Sequence, residues 1–118
     1  MVFAIILGAF GAHGLKARLS ESDLDVFKTG VLYQFIHGFG LLILGILGQI
    51  FPDLHFKRSA IFFGLGILCF SGSLYLLSTQ TITGLNGSFL GPITPLGGLF
   101  FIVGWSLTAL QFLKKNAN

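Results

Sequence analysis

The longest charge-free apolar stretch of the chain covers residues 29–51 and reads TGVLYQFIHGFGLLILGILGQIF. A run of this length exceeds the roughly 20 residues that an α-helix needs to cross the hydrocarbon core of a bilayer. Charged residues make up only 9% of the chain. Soluble domains carry roughly 25%, so there are too few charges here to cover a water-facing surface. The chain is therefore predicted to be an integral membrane protein.

Three further apolar segments accompany this one and predict an all-α, four-helix up-down bundle that forms a single membrane domain over residues 1–118. The predicted spans are residues 2–14, 30–51, 60–77 and 96–113, and an uncharged polar loop covers 78–95. Turn signals at Asn86-Gly87 and Gly91-Pro92 predict that no helix forms in this loop. We expect the loop to fold over the ends of the bundle, because non-helical backbone at membrane depth needs protein cover.

The first span is shorter than the others. As a helix it covers about 21 Å at 1.5 Å per residue, against a hydrocarbon core of about 30 Å. A signal peptide is the alternative, but no Lys or Arg precedes the apolar run, as such a peptide requires. We therefore expect a truncated or partly spanning first helix. The second helix is expected to begin near Glu21, because Ser20 and Asp23 resemble a capping box.

The basic residues indicate an orientation. In a chain with four spans, both termini and the 52–59 turn lie on the same side of the membrane. That side carries four of the seven basic residues, Lys57, Arg58, Lys114 and Lys115, and the opposite side carries Lys16, Arg18 and Lys28. The positive-inside rule then predicts cytoplasmic termini. These short clusters lack the dense basic face of a nucleic-acid-binding protein. The expected partners are the lipid bilayer and, within it, other membrane proteins or further copies of the chain, with no nucleic acid.

Glycines follow the helical repeat in every span, which predicts close packing between helices. In the second span, Gly30 and His37 share the face expected to meet protein, while Phe35 and Phe39 are expected to face lipid. The glycines predicted to pack against neighbouring helices are Gly8, Gly11, Gly45, Gly48, Gly64, Gly97 and Gly104.

Polar residues gather at one end of each span, and in an up-down bundle these ends meet at the membrane face opposite the termini. This predicted polar rim consists of His13, Tyr33, Gln34, His37, Ser71, Ser73, Tyr75 and Thr94. His37 is expected at shallow depth, one and a half to two turns into its span. It is either a proton-relay or ligand-binding imidazole, or a neutral His that holds neighbouring helices together through hydrogen bonds. Trp105, near the middle of its span, is expected to serve packing.

The remaining chemistry is sparse. His13 and His37 suggest a bis-histidine haem or a metal, but catalytic zinc usually has three protein ligands, and haem needs opposed histidines across a roomy core. No Asp or Glu lies inside a span, which weakens an ion-coupled transporter hypothesis. Cys69 is the single cysteine, so intramolecular disulfides and CxxC zinc sites are excluded. We predict no catalytic residue, no cofactor and no metal, and hence no enzyme.

Several motifs together resemble one known family. They are GAFGAHGLK at 8–16, FKTGVLYQFIHG at 27–38, SGSLYLL at 71–77 and GPITPLGG at 91–98, followed by GW at 104–105. In this order they are similar to the small four-helix membrane family catalogued as domain of unknown function 423, related to eukaryotic transmembrane protein 256. The resemblance implies a bacterial inner-membrane protein, or a mitochondrial one in eukaryotes, with no established activity. Family members usually carry further apolar residues ahead of GAFGAHG, enough to complete the first span.

Helix association is the activity that the sequence supports directly. The leading hypothesis is a non-enzymatic accessory, interaction or structural component of a membrane. The alternative is a small oligomeric transporter or channel, in which Gln34, His37, Ser71 and Tyr75 line a hydrated cavity that reaches past mid-membrane. A third hypothesis, a membrane enzyme or haem carrier, predicts bound metal or a Soret band in the purified protein.

Overall fold

The computed structural model describes residues 1–117 as a chain of helices. The α-helices are α1 (Val2–Phe10), α2 (Glu21–Ile50), α3 (Lys57–Gly66), α4 (Gly72–Ser78), α5 (Gln80–Thr83) and α6 (Ile93–Ala117). A π-helical turn, Gly11–Leu15, extends α1, and a second one, Ile67–Ser71, joins α3 to α4 into one continuous third span. Three stretches are long and apolar enough to cross a membrane, namely Glu21–Ile50, Lys57–Ser78 and Ser88–Lys115, while Val2–Leu15 is shorter. The predicted all-α, four-helix membrane architecture is confirmed.

Helix α2 begins where the capping signal predicted. Ser20 is the N-cap residue, and its Oγ accepts a hydrogen bond of 3.1 Å from the backbone N–H of Asp23. Such a bond satisfies one of the N–H groups that the first turn of a helix leaves without an intrahelical partner. The Ser20 hydroxyl also donates to the Asp23 carboxylate at 2.8 Å. The cap therefore starts α2 well ahead of its apolar part, which carries the helix to Ile50.

The third span lies between the other helices. α1 packs on α2, α2 packs mainly on the π-helical turn and α4, and α3 packs on α6. Phe63 of α3 is fully buried. A Cβ added at Gly40 of α2 would lie 3.0 Å from its ring, and one added at Gly104 of α6 would lie 2.6 Å from it. The two glycines thus let one aromatic ring separate α2 from α6 in the centre of the molecule.

The connection after the third span is more ordered than predicted. It contains α5 and a 3₁₀ turn, Ser88–Leu90, so the expectation that no helix forms in 78–95 was wrong. The Gln80 side chain joins α4 to the start of the 3₁₀ turn, since it donates to the Leu77 carbonyl and accepts from the Gly87 N–H. Gly84, with φ of 69°, ends α5 in the left-handed conformation that glycine adopts readily. Gly87 and Leu90 are buried, whereas residues 81–86 are exposed.

Helix α6 begins at Ile93, before the predicted start of the span at residue 96, and Pro95 lies in its first turn. A proline is tolerated there, since the first N–H groups of a helix have no intrahelical acceptor. Two residues after Pro95, Gly97 lies directly against the backbone of Phe70, where an added Cβ would overlap the Phe70 nitrogen. The π-helical turn and α6 are therefore in backbone contact at this glycine.

The predicted packing glycines fall into two groups. Gly8 and Gly11 lie against Val31 and Phe27 of α2, and Gly97 and Gly104 lie against the third span as described above. A Cβ at Gly45, Gly48 or Gly64 would meet nothing within 4 Å, so the expected packing role is wrong for these three within one described chain.

For Gly45 and Gly48, the reason is which part of α2 the neighbouring helices contact. In the described residues α1 contacts α2 from Phe27 to Gly38, where the Met1 sulfur lies 3.3 Å from an ideal Cβ. The buried positions of α2 continue through Gly40 and Leu44 but do not include Gly45 and Gly48, which are exposed. Helical spacing alone does not show where a neighbouring helix ends.

Candidate functional site

His37 is the centre of the buried polar chemistry and is only 4% exposed. Its Nδ1 lies 2.8 Å from the backbone carbonyl of Tyr33, one turn earlier in α2. Its Nε2 lies 3.2 Å from Nε1 of Trp105 in α6. Indole N–H is only a donor, so Nε2 is the acceptor and Nδ1 carries the proton that is donated to the carbonyl. These two bonds match the neutral imidazole, because protonated Nε2 would face a second N–H.

Aromatic rings surround this imidazole. The ring of Phe101 is stacked on His37 with centroids 3.4 Å apart and planes 10° apart. Phe63 approaches the imidazole from its edge at 5.4 Å. The arrangement resembles the second of the two expectations for His37, in which a neutral His joins neighbouring helices. Its partner Trp105 is the central residue of α6, so His37 is hydrogen-bonded to the middle of that helix.

Trp105 is the member of this cluster that the sequence reading did not include. Packing was expected for it, and its ring does contact Phe63, with centroids 4.7 Å apart. Yet the ring is 43% exposed, while its one N–H is used by His37. A donor in mid-span requires an acceptor, and Phe101 one turn earlier marks the same face of α6. These two signals could have paired Trp105 with the histidine of the second span.

Gln34 and Tyr75 form a second polar pair, which connects α2 to α4. The Tyr75 hydroxyl donates to Gln34 Oε1 at 2.5 Å. Gly30 makes this approach possible, because a Cβ there would lie 3.0 Å from the Tyr75 ring. The Tyr75 ring also packs on Phe27, with centroids 4.9 Å apart. Two members of the predicted rim thus satisfy one another between helices.

Ser73 and Thr94 form a third pair, between α4 and the first turn of α6. Their hydroxyl oxygens are 2.6 Å apart, and Ser73 Oγ also lies 2.9 Å from the carbonyl of Phe70. A serine hydroxyl has one proton, so Ser73 donates to that carbonyl and accepts from Thr94. Ser71, at the end of the π-helical turn, is completely buried, and its Oγ has no hydrogen-bond partner among the described residues.

The side chains of two members of the predicted rim form no hydrogen bond in these pairs, although the Tyr33 carbonyl accepts from His37. His13 is exposed on the π-helical turn after α1 and is not joined to the cluster around His37. Tyr33 is partly exposed, and its ring packs on Phe70 with centroids 4.5 Å apart. The Tyr33 hydroxyl forms no hydrogen bond with the part of the chain that the structure describes. The predicted rim is therefore resolved into three separate hydrogen-bonded pairs, one orphan hydroxyl and two outlying residues.

An open groove of ≈ 820 Å³ runs between α2 and α6, and Phe70 of the third span also lines it. Its walls include Tyr33, Ile36, Pro95, Gly98, Leu99 and Ile102, and His37, Phe101 and Trp105 form its floor. A smaller hollow of ≈ 330 Å³, lined by Phe39, Gly40 and Ile43, lies on the other side of the Trp105 ring. Trp105, held by His37, therefore divides the cleft between α2 and α6 into two parts.

Over residues 1–117, the structure brings no three His, Cys, Asp or Glu side chains together in a way that could hold a metal ion. Apart from the Ser71 hydroxyl, the buried polar side chains named above are hydrogen-bonded within the bundle, and the groove beside them has mostly apolar walls. What this arrangement can do chemically is to hold helices in register and to present an aromatic, uncharged surface to the membrane.

Comparison with known proteins gives a consistent picture. A sequence profile of the family described as Protein of unknown function (DUF423) matches residues 7–98. The chain is 39% identical over 114 residues to the UPF0382 membrane protein SERP0230 of Staphylococcus epidermidis, and the aligned region covers 96% of the chain and 88% of that relative. It is 40% identical over 115 residues to the UPF0382 membrane protein YwdK of Bacillus subtilis, and this aligned region covers 96% of the chain and 89% of that relative. No solved structure gives a significant match.

Proposed function

The chain belongs to the DUF423 family of proteins of unknown function, and we propose on that premise that it is a non-enzymatic accessory component that associates with other transmembrane helices. The observation that carries this proposal is the group of uncovered glycines. Gly45, Gly48 and Gly64 have nothing within 4 Å of an added Cβ. In lipid, small residues allow the close backbone approach through which helices associate.

The polar residues support the same proposal. Gln34, His37, Ser73 and Tyr75 each have a partner inside the chain, so these groups are used to fix the helices to one another. A rigid bundle with free glycine surface on α2 suits a scaffold or accessory subunit. The exposed neighbours Leu42 and Ile46 provide apolar contact area beside Gly45.

The transporter or channel alternative receives less support. It requires polar side chains directed to a continuous hydrated path, and Gln34 and Tyr75 are instead bonded to each other at 2.5 Å. His37 donates and accepts within the bundle. The groove beside it is lined by apolar and aromatic residues and does not carry a row of free polar groups.

For location, we propose the plasma membrane of a bacterium with both termini in the cytoplasm. In support of this, the basic end of α6 lies beside the turn after α2: Lys114 and Lys115 line the same hollow as Asp53 and Leu54. Lys115 also lies 4.3 Å from the centroid of the Phe51 ring. This end carries four basic residues, against three at the opposite end, and the more basic side is expected to be cytoplasmic.

Crosslinking followed by copurification from native membranes tests the accessory role. We expect the wild-type chain to recover a membrane protein partner at stoichiometric level. The substitution Gly48→Leu should abolish that recovery without altering the unfolding of the isolated chain, because the site is open within one chain. Leu110→Phe, which adds bulk to an exposed position of α6, is the matched control and should retain the partner. Recovery of the isolated protein alone would contradict the proposal.

A further inference from the structure

The groove between α2 and α6 has the dimensions of half a bilayer. Along α6 its lining runs from Pro95 to Ser106, which is about 16 Å at 1.5 Å per residue. The hydrocarbon core of a bilayer is about 30 Å thick, so one leaflet accounts for about 15 Å. Pro95 belongs to the first turn of α6, and Trp105 is its central residue. The groove therefore extends from one membrane face to mid-depth, where Trp105 closes it.

The lining determines what kind of molecule fits. None of the lining residues is Asp, Glu, Lys or Arg. His37 is kept neutral by its two hydrogen bonds, and the Trp105 N–H is already used. The Ser106 hydroxyl donates to the Ile102 carbonyl at 2.8 Å. The groove thus presents carbon and aromatic surface over most of its length, which matches an uncharged hydrocarbon chain.

One polar group in the groove is left over. The Tyr33 ring lies on Phe70 and 6.0 Å from the His37 ring, and its hydroxyl has no hydrogen bond within the described residues. Tyr33 lies one turn before His37 in α2, toward the face where α6 begins, so its hydroxyl is a donor on that side of the groove. The ester carbonyls of a phospholipid in that leaflet accept hydrogen bonds.

We propose that this groove is a binding site for one acyl chain of a diacyl phospholipid from the leaflet at the face opposite the termini. The chain lies along Gly98 and Ile102, its ester carbonyl accepts from Tyr33, and its methyl end meets the Trp105 ring. A transmembrane helix of a partner fits this place less well, because it would continue past mid-depth, where the His37–Trp105 pair interrupts the cleft. The hydrogen bond between these two residues accordingly sets the length of the site.

Gly98 provides the variant that tests the site. A Cβ there would lie 3.8 Å from the Phe70 ring, which is ordinary contact, so Gly98→Leu keeps the backbone and fills the groove. Native mass spectrometry of the detergent-extracted wild-type protein should show one phospholipid retained per chain. Gly98→Leu should lose it, and Leu68→Phe, at a 72% exposed position of the third span, should keep it. Tyr33→Phe, which retains the ring, should weaken retention and provides a second variant if Gly98→Leu does not fold.

Trp105 is the single tryptophan of the chain and reports on the same site in vesicles. In phosphatidylcholine vesicles, bromines near the methyl end of the acyl chains should quench its fluorescence more than bromines next to the ester. Gly98→Leu should reduce that quenching. Equal retention of lipid by Gly98→Leu, equal quenching from both bromine depths, or retention of a lipid without a phosphate would overturn the proposal. So would a photocrosslink from position 99 to a protein instead of a lipid.

Discussion

The indole N–H of Trp105 in α6 donates a 3.2 Å hydrogen bond to Nε2 of His37 in α2, across 68 positions of sequence. Phe101, one turn before Trp105, stacks on the same imidazole. The backbones of α2 and α6 make little or no direct contact. This group of side chains therefore fixes the two helices relative to each other, on the side that the third span leaves open.

The pair can be measured by a double-mutant cycle. Trp105→Phe leaves the buried Nε2 without a donor, and His37→Phe leaves the indole N–H without an acceptor. We expect a coupling free energy of about 0.5–2 kcal/mol in unfolding experiments in detergent, the range found for hydrogen bonds between transmembrane helices. Tyr33→Phe combined with Trp105→Phe is the control, since the Tyr33 hydroxyl is unpaired and these two effects should add. Additive effects of the His37 and Trp105 substitutions would show that the hydrogen bond contributes nothing.

Glycines with and without neighbours should respond in opposite ways to a methyl group. Gly97→Ala places a Cβ on the backbone nitrogen of Phe70 and should lower the free energy of unfolding by about 1–3 kcal/mol through overpacking. Gly48→Ala meets open space and should leave stability unchanged or raise it by up to about 1 kcal/mol, because alanine favours the helix. Thermal unfolding of the two variants in one detergent decides the comparison. Equal losses would mean that α6 does not approach the third span at Gly97.

Two buried serines of the third span, two positions apart, should also differ. Ser71 Oγ has no partner among the described residues, so Ser71→Ala removes an unsatisfied group and should raise stability by about 1 kcal/mol. Ser73→Ala removes the acceptor for Thr94 and should lower stability by about 1 kcal/mol. Both substitutions delete the same hydroxyl, and the sign of the change in midpoint denaturant concentration is the readout. A loss for Ser71→Ala would indicate that its hydroxyl is engaged.

The start of α2 rests on a cap that can be removed. Ser20→Ala deletes the acceptor of the Asp23 N–H and should cost about 1 kcal/mol. Ser22→Ala, at an exposed position inside the first turn, is the matched control and should have little effect. Amide hydrogen exchange at residues 23–26 should accelerate in the first variant and stay unchanged in the second. Unchanged exchange in Ser20→Ala would place the true start of the helix elsewhere.

Much of the fold could be predicted from local patterns. The charge-free run 29–51 predicts a spanning helix whatever surrounds it, because a bilayer admits few other backbone structures. The start of α2 was predicted because Ser20 and Asp23 are neighbours in sequence and satisfy a local requirement. The π-helical turn Ile67–Ser71 was not predicted, because it lies inside an apolar run whose pattern is that of an α-helix. The helix at Gln80–Thr83 was not predicted either, although its hydrogen bonds are local, because a helix of 4 residues is too short to show a helical repeat.

The candidate site was only partly predictable. Polarity identified Gln34, Ser73 and Tyr75 as residues that need partners, but it grouped them with His37 in one rim. The structure separates them, because the partner of His37 is the central residue of α6 while Ser73 meets Thr94 in its first turn. Gly40 and Gly66 were absent from the packing set, although a Cβ at either would press on Phe63 or Phe101.

By itself, the sequence determined that this chain is helical and lies in a membrane, where α2 begins, and which polar groups cannot stay unpaired in lipid. These properties follow from composition, from helical repeat and from the hydrogen bonds of adjacent residues. Only the tertiary structure decided that His37 pairs with Trp105, that Gly45 and Gly48 stay uncovered, and that a groove half a bilayer deep lies between α2 and α6. Such features depend on the relative depth and extent of separate helices. The packing of Phe63 against Gly40 and Gly104 fixes that arrangement, whereas the periodicity of a single helix does not.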